Sequence, residues 1–213
     1  MKIKVFIFLF YWLLADVLVG QESNFKKFRR LSNPEKYWVI FHPFVANKAL
    51  KISELTRYET VIILNQQLLN GNGNGGQVDA FRHVFWMANL TVEIGWRRAT
   101  RLGYAHEKGN YRDFKKRRNE DGVVPDKISS VMDLFNNNIG IEIGKMHRRE
   151  SLKAIVIKKV LDGKCKIIKK DADNNYIDCE GNFISKESLK GKWENKKCLI
   201  NSNGLWSKKS DFN

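Results

Sequence analysis

The chain has 213 residues, 43% of them apolar, and its 38 Lys and Arg against 23 Asp and Glu leave a net charge of +15. That length suits one domain with a real core, or one domain and a small appendage, rather than several domains. The charge draws it toward polyanions such as phospholipid headgroups, lipopolysaccharide, teichoic acid or nucleic acid, and no Cys-x-x-Cys or Cys/His spacing points to a structural zinc site.

The N-terminus reads Met-Lys-Ile-Lys, then the apolar run Val5–Ala15, then Val19-Gly20 ahead of Gln21-Glu22-Ser23. This is the layout of a cleaved signal peptide over residues 1–20. The run is shorter than the about 20 residues of a bilayer span, and Asp16 interrupts it. Export is therefore expected, with no transmembrane span after cleavage and a periplasmic or secreted location. Leu18, at the −3 position, leaves the exact cut open. In an oxidising compartment Cys165, Cys179 and Cys198 would form one bridge and leave one thiol, and the pairing cannot be read from spacing.

Residues 24–41 are basic and aromatic. From Phe44 to Leu69 the apolar spacing is helical, with Glu54 and Glu59 on the wet side and room for two helices joined near Ile52-Ser53. Gly71 to Gly76 must be a turn or flexible loop. A phosphate-cradling loop would need a strand before it, and none is visible. From Val78 to Val92 the helix is apolar nearly all round and should be the central, buried one. A helix over Gly95–Glu107 turns Trp96, Ala99 and Leu102/Gly103 inward and Arg97, Arg98 and Arg101 outward, with His106 and Glu107 near the inward face. After a basic loop, Lys108–Asp121, Pro125 opens a long helix to about His147 with the apolar stripe Ile128, Met132, Phe135, Ile139 and Ile143. A last helix covers Ser151–Leu161. The tail beyond it falls into short turn-separated pieces, with a hairpin around Asp171–Asn175 whose run lacks the Gly and Glu of a calcium loop. The expected fold is mainly α: a compact multi-helix domain over 21–161 and a Cys-containing, irregular or β-hairpin appendage over 162–213.

Asp79 and His83 stand four apart on the buried helix and share a face that Trp86 continues. A buried His beside a carboxylate can ligate a metal, act as a general base, or be a satisfied core histidine. On the long helix a second stripe holds Asp133, Asn136/Asn137, Gly140 and Gly144. An exposed mid-helix Gly costs about 1 kcal/mol relative to Ala, so two at this spacing argue for close approach by another element, with Asp133 and Asn137 facing protein or a cleft. If these helices pack together, Asp79, His83, His106, Glu107 and Asp133 can converge as ligands for zinc, manganese or iron. His83, Asp133 and Glu107 are then the candidate catalytic groups, supported by Arg82, Trp86, Asn136 and Asn137. A metal-free alternative uses His83 as base, oriented by Asp133 or Asp79.

The blocks Asp79-Ala80-Phe81-Arg82-His83-x-x-Trp86, Ala105-His106-Glu107 and Met132-Asp133-Leu134-x-Asn136-Asn137-x-x-Gly140 resemble a bacterial family of exported or toxin-associated domains of unknown function, over about residues 40 to 146. That resemblance implies no activity. Arg82-His83-x-Phe85 is also faintly similar to the active helix of secreted bacterial phospholipases A2, where a His works with a distant Asp and calcium. Val84 stands here where that family has Asp, and the flanking cysteines are missing.

Three readings follow. The first is a metal-dependent hydrolase of an envelope ester or phosphoester, with basic segments at Arg112–Arg118 and Lys145–Arg149 holding an anionic surface or polymer. The second is a non-catalytic envelope protein in which the polar cluster is a structural hydrogen-bond network. The third, a nucleic-acid binder, rests on charge alone and lacks the interleaved aromatics of a stacking surface.

Overall fold

The computed structural model describes residues 23–71, 73–116, 124–147 and 151–204. The expected signal peptide, and parts of both basic segments, lie outside the described residues. The helices are α1 (Asn24–Arg30), α2 (Asn33–Phe41), α3 (Pro43–Asn65), α4 (Gln77–Ile94), α5 (Trp96–Lys115), α6 (Lys127–Met146), α7 (Leu152–Leu161) and the short α8 (Lys186–Leu189), with strands β1 (Lys166–Ile168) and β2 (Leu199–Asn201) paired antiparallel. The protein is mainly α, as the sequence implies. No helix among the described residues is long and apolar enough to cross a membrane.

Helix α4 is the axis. Val78, Ala80, Phe81, Val84, Ala88 and Leu90 are all fully buried, and α3, α5, α6 and α7 all pack against it. One apolar cluster joins its first half to Ile63, Ile143, Val156, Val160 and Ile167. The other joins its second half to Trp38, Ala49, Ile52, Ala99 and Leu102. Because Ile63 meets the start of α4 and Ala49 meets its end, α3 and α4 run antiparallel.

Helix boundaries follow local chemistry. Ser32 and Glu35 form a capping box at α2, and Asp126 with Ser129 forms another at α6. Asp126 is therefore the cap and Pro125 precedes it. The expected break near Ile52-Ser53 is absent: Ile52 is buried, Ser53 Oγ donates to the Ala49 carbonyl at 3.0 Å, and α3 continues. Residues 24–41 form two helices that charge and aromatic content alone do not reveal. Helix α5 runs on to Lys115 because Gly109, expected in a loop, packs on Ser32. Trp96 corrects another expectation: it is 45% exposed, its ring lying against Arg97 and Lys145 at 4.9 and 5.0 Å. On α6 the polar and glycine stripe is buried, holding Asp133, Asn136, Asn137, Gly140 and Gly144, and so are Met132 and Ile143 of the apolar stripe, whereas Phe135 of that stripe is exposed under the Lys166 ammonium.

The tail closes over this bundle. Asn136 donates to the Lys166 carbonyl and accepts from its N–H, both at 2.9 Å, pinning β1 on α6. Ile168 N–H donates to the Gly75 carbonyl at 2.8 Å, and its side chain fills the space where a Cβ on Gly75 would lie. Gly75 also holds φ 76°, so both the turn and the contact require glycine. Around Asp171 a turn forms as expected, its carboxylate accepting from the Asp173 and Asn175 amides. Trp193 packs edge-on against Tyr111 of α5.

Cys179 and Cys198 form the disulfide, across 19 residues of chain, and Cys165 is the buried free thiol. Burial pushes the Cys165 thiol up to about 12. Its nucleophilic thiolate is thus missing at ordinary pH. Titration with an aromatic disulfide reagent at pH 8 should label no cysteine in the native chain, one after unfolding, and all three after reduction. Rapid native labelling would place Cys165 in a different environment.

Candidate functional site

The site is built where α4 and α6 cross. Asp79 and His83 lie on consecutive turns of α4, and Asp133 enters from α6. One ligand atom from each lies within 4.8 Å of the others. His83 Nε2 is 3.3 Å from Asp133 Oδ1 and 3.6 Å from Asp79 Oδ1. His83 Nδ1 meets Asn137 Oδ1 at 3.3 Å, one turn along α6 from Asp133. With that oxygen as acceptor, Nδ1 carries the proton and Nε2 presents its lone pair toward the two carboxylates.

The carboxylates are held from outside. Gly75 N–H donates to Asp79 Oδ2 at 2.7 Å, and Arg82 Nη2 donates to Asp79 Oδ1 at 2.8 Å. The glycine-rich loop therefore does bind an oxyanion, but the oxyanion is the protein's own Asp79. Burial is nearly complete, at 4% side-chain exposure for His83 and 9% for Asp133. Beside Asp79 and Asp133 a small polar cavity of about 30 Å³ is rimmed by Tyr176, Lys197 and Asp126. Burial, and then the Lys197 charge, lowers the Lys170 ammonium against the opposing pull of Asp79. Burial, then Asp126 and Asp79, raises the Tyr176 phenol.

His83 and Arg82 also line a larger cavity of about 300 Å³ between α2, α3, α4 and α5. Trp86 lines it too and donates to Ser53 Oγ at 3.0 Å. His106 faces the same cavity with Nδ1 3.0 Å from Glu35 Oε1. Burial alone would raise the Glu35 carboxyl, but its hydrogen bonds to His106 and Ser32 and the His106 charge outweigh that and lower it.

The five expected ligands thus divide. Asp79, His83 and Asp133 come together, while His106 and Glu107 stand outside this group among the described residues. His106 turns to Glu35, its ring 6.3 Å from that of His83 and edge-on to Trp86 at 5.5 Å. Glu107 accepts from Asn110 at 3.2 Å. His106 does face α4, but on the cavity side of His83 where Glu35 takes its Nδ1, and Glu107, about 100° round the helix from it, turns to Asn110. Of the supporting residues, Arg82 and Asn137 touch the cluster, Trp86 lines the adjoining cavity, and Asn136 anchors β1. Sequence reasoning missed Glu35, Thr56 and Arg57 of the large cavity; only the Ser32-x-x-Glu35 capping pattern could have marked one of them.

Fold and site together define a mainly helical domain with a buried His–dicarboxylate centre beside a cavity. Residues 36–166 match the family described as Domain of unknown function (DUF6973), and the chain belongs to that family. Neither the curated proteins nor the solved structures contain a match.

Proposed function

We propose that the protein is an extracytoplasmic, metal-dependent hydrolase acting on an ester or phosphoester of the cell envelope. The observation that carries this reading is His83 Nε2 aimed between two carboxylates 3.3 and 3.6 Å away, on the wall of a cavity large enough for a substrate. Ligand oxygens and nitrogens about 2.1 Å from a tetrahedral ion lie roughly 3.4 Å from one another, so these separations suit zinc, manganese or iron. One imidazole and two carboxylates leave a position for water, and the expected exported location agrees with the Cys179–Cys198 disulfide.

When bound, the metal would supply Lewis acidity and a water acidified to near neutral pH. The chain's own residues do the rest. Asn137 fixes the His83 tautomer, and Arg82 offsets one of the two carboxylate charges. His106, oriented by Glu35, is placed on the cavity wall to give a proton to a departing oxygen.

A second reading is favoured by one observation. Asn137 Nδ2 is buried without a hydrogen-bond partner among the described residues. Turned over, the amide would donate to His83 Nδ1 and place the ring proton on Nε2 toward Asp133, closing a structural network that needs no metal.

Metal content of the purified mature protein, measured beside His83→Ala and Asp133→Asn, separates the two. About one equivalent of zinc, manganese or iron, absent from both variants, is the expected result and justifies screening nitrophenyl esters and phosphodiesters. No uptake of any of these ions, with both variants merely less stable, would leave the structural network standing and the hydrolase abandoned.

A further inference from the structure

We infer that the 300 Å³ cavity is the binding site for a single-chain amphiphile with an anionic head, a carboxylate or phosphate on one alkyl tail. As the substrate class of the proposed hydrolase this rests on that reading; as a binding site it stands without it.

The cavity is polar at one end and apolar at the other. Its lining on α3 changes along the helix from Ala46, Ala49 and Leu50 to Ser53, Thr56 and Arg57. Because α3 and α4 run antiparallel and Ser53 is bonded to Trp86, Thr56 and Arg57 lie toward Arg82 and His83, and the apolar half lies toward the far end of α4. The opposite wall repeats the pattern. Helices α2 and α5 are antiparallel, with Glu35 against His106 and Trp38 Nε1 donating to the Arg98 carbonyl. His106 and Glu35 therefore face the polar end, where Leu31 just before α2 is the one apolar neighbour on this wall, and Trp38, Val39 and Leu102 face the apolar end. Two helix pairs with no sequence relation thus agree on one direction, which places the reacting His83 at the head and hydrocarbon at the tail.

One further observation points to a ligand. Arg57 is exposed, lines the cavity and makes no ion pair among the described residues, so the cavity reaches solvent beside a free guanidinium suited to a carboxylate or phosphate. The volume lies at the low end for ligand pockets, about 300–1,000 Å³, and admits one chain rather than two.

The test is calorimetric titration of the mature protein with sodium laurate, with dodecyl phosphate and with the neutral dodecyl maltoside, each below its micelle concentration, while metal content is measured on the same samples. One site is expected for at least one of the two anions, binding at least about tenfold more tightly than the maltoside, and the stronger of the two identifies the head. Arg57→Gln should weaken that anion about tenfold and leave the maltoside unchanged. Leu50→Trp, which fills the apolar half, should abolish binding, and Ala46→Phe, at a half-buried position, repeats the test should Leu50→Trp melt early. Equal binding of maltoside and anion, or anion binding that survives both filling variants, overturns the inference. Amphiphile binding without metal would keep the site and remove the hydrolase; metal without amphiphile binding would do the reverse.

Discussion

Gly140→Ala and Gly144→Ala should each destabilise the protein by about 3 kcal/mol, the upper end of the usual overpacking penalty. A Cβ on Gly140 would lie 2.4 Å from the Val84 carbonyl oxygen, and one on Gly144 would lie 2.5 Å from that of Ala88. Both obstacles are backbone of the central helix, so no side chain can rotate away and α6 must move as a body. The sign is diagnostic. In an exposed helix the same change gains about 1 kcal/mol through helix propensity, so a neutral or stabilising result in urea denaturation would refute the close contact. The expected loss corresponds to about 6–12 °C in Tm for a domain of this size. The centre should suffer too. Asp133 and Asn137 ride on α6 while Asp79 and His83 ride on α4, so separating the helices lengthens the 3.3 Å contacts that define the site. The metal uptake proposed above should therefore fall in these variants although Asp79, His83 and Asp133 are all unchanged.

Lys197→Met should cost about 3–5 kcal/mol, as expected when one partner of a buried ion pair is removed and the other keeps its charge. The Lys197 ammonium is paired with Asp126, their side chains 5% and 8% exposed, and it stands 3.9 Å from the centre of the Tyr176 ring. Asp126 is also the N-cap of α6, the helix that carries Asp133. The pair therefore ties the tail to the start of the helix that completes the site. Adding Asp126→Asn, which removes the orphaned charge and keeps a capping side chain, should restore most of the loss. A single variant as stable as the parent would mean that water reaches the pair and that the tail is not locked to the domain.

The small polar cavity between Asp79 and Asp133 gives this pair a second consequence. Lys197, Tyr176 and Asp126 rim it, so the tail supplies part of the wall around the centre. The disulfide joins Cys198, the neighbour of Lys197, to Cys179. That bond thus stabilises the segment that closes the site. Reduction should act on the centre through the tail rather than through any ligand.

The sequence by itself determined a good deal. Helical periodicity over 78–92 made α4 the buried axis, because a helix apolar on every side has nowhere else to go. It also put Asp79 and His83 on one face, since spacing by four residues fixes their relation within a helix. The glycine pair of α6 implied a neighbour at backbone distance, because glycine in a helix is costly unless something uses the space. Those inferences rest on local geometry, where a few residues decide the outcome. The tertiary structure alone decided the rest. Which carboxylates joined His83 depended on how α5 and α6 pack against α4, an arrangement in which His106 meets Glu35 and Glu107 meets Asn110. Glu35, Thr56 and Arg57 come from segments that look like ordinary amphipathic surface; they become cavity lining only through packing. The pairing of Cys179 with Cys198 and the burial of Lys197 depend on where the tail crosses the bundle, a long-range arrangement that no local pattern encodes.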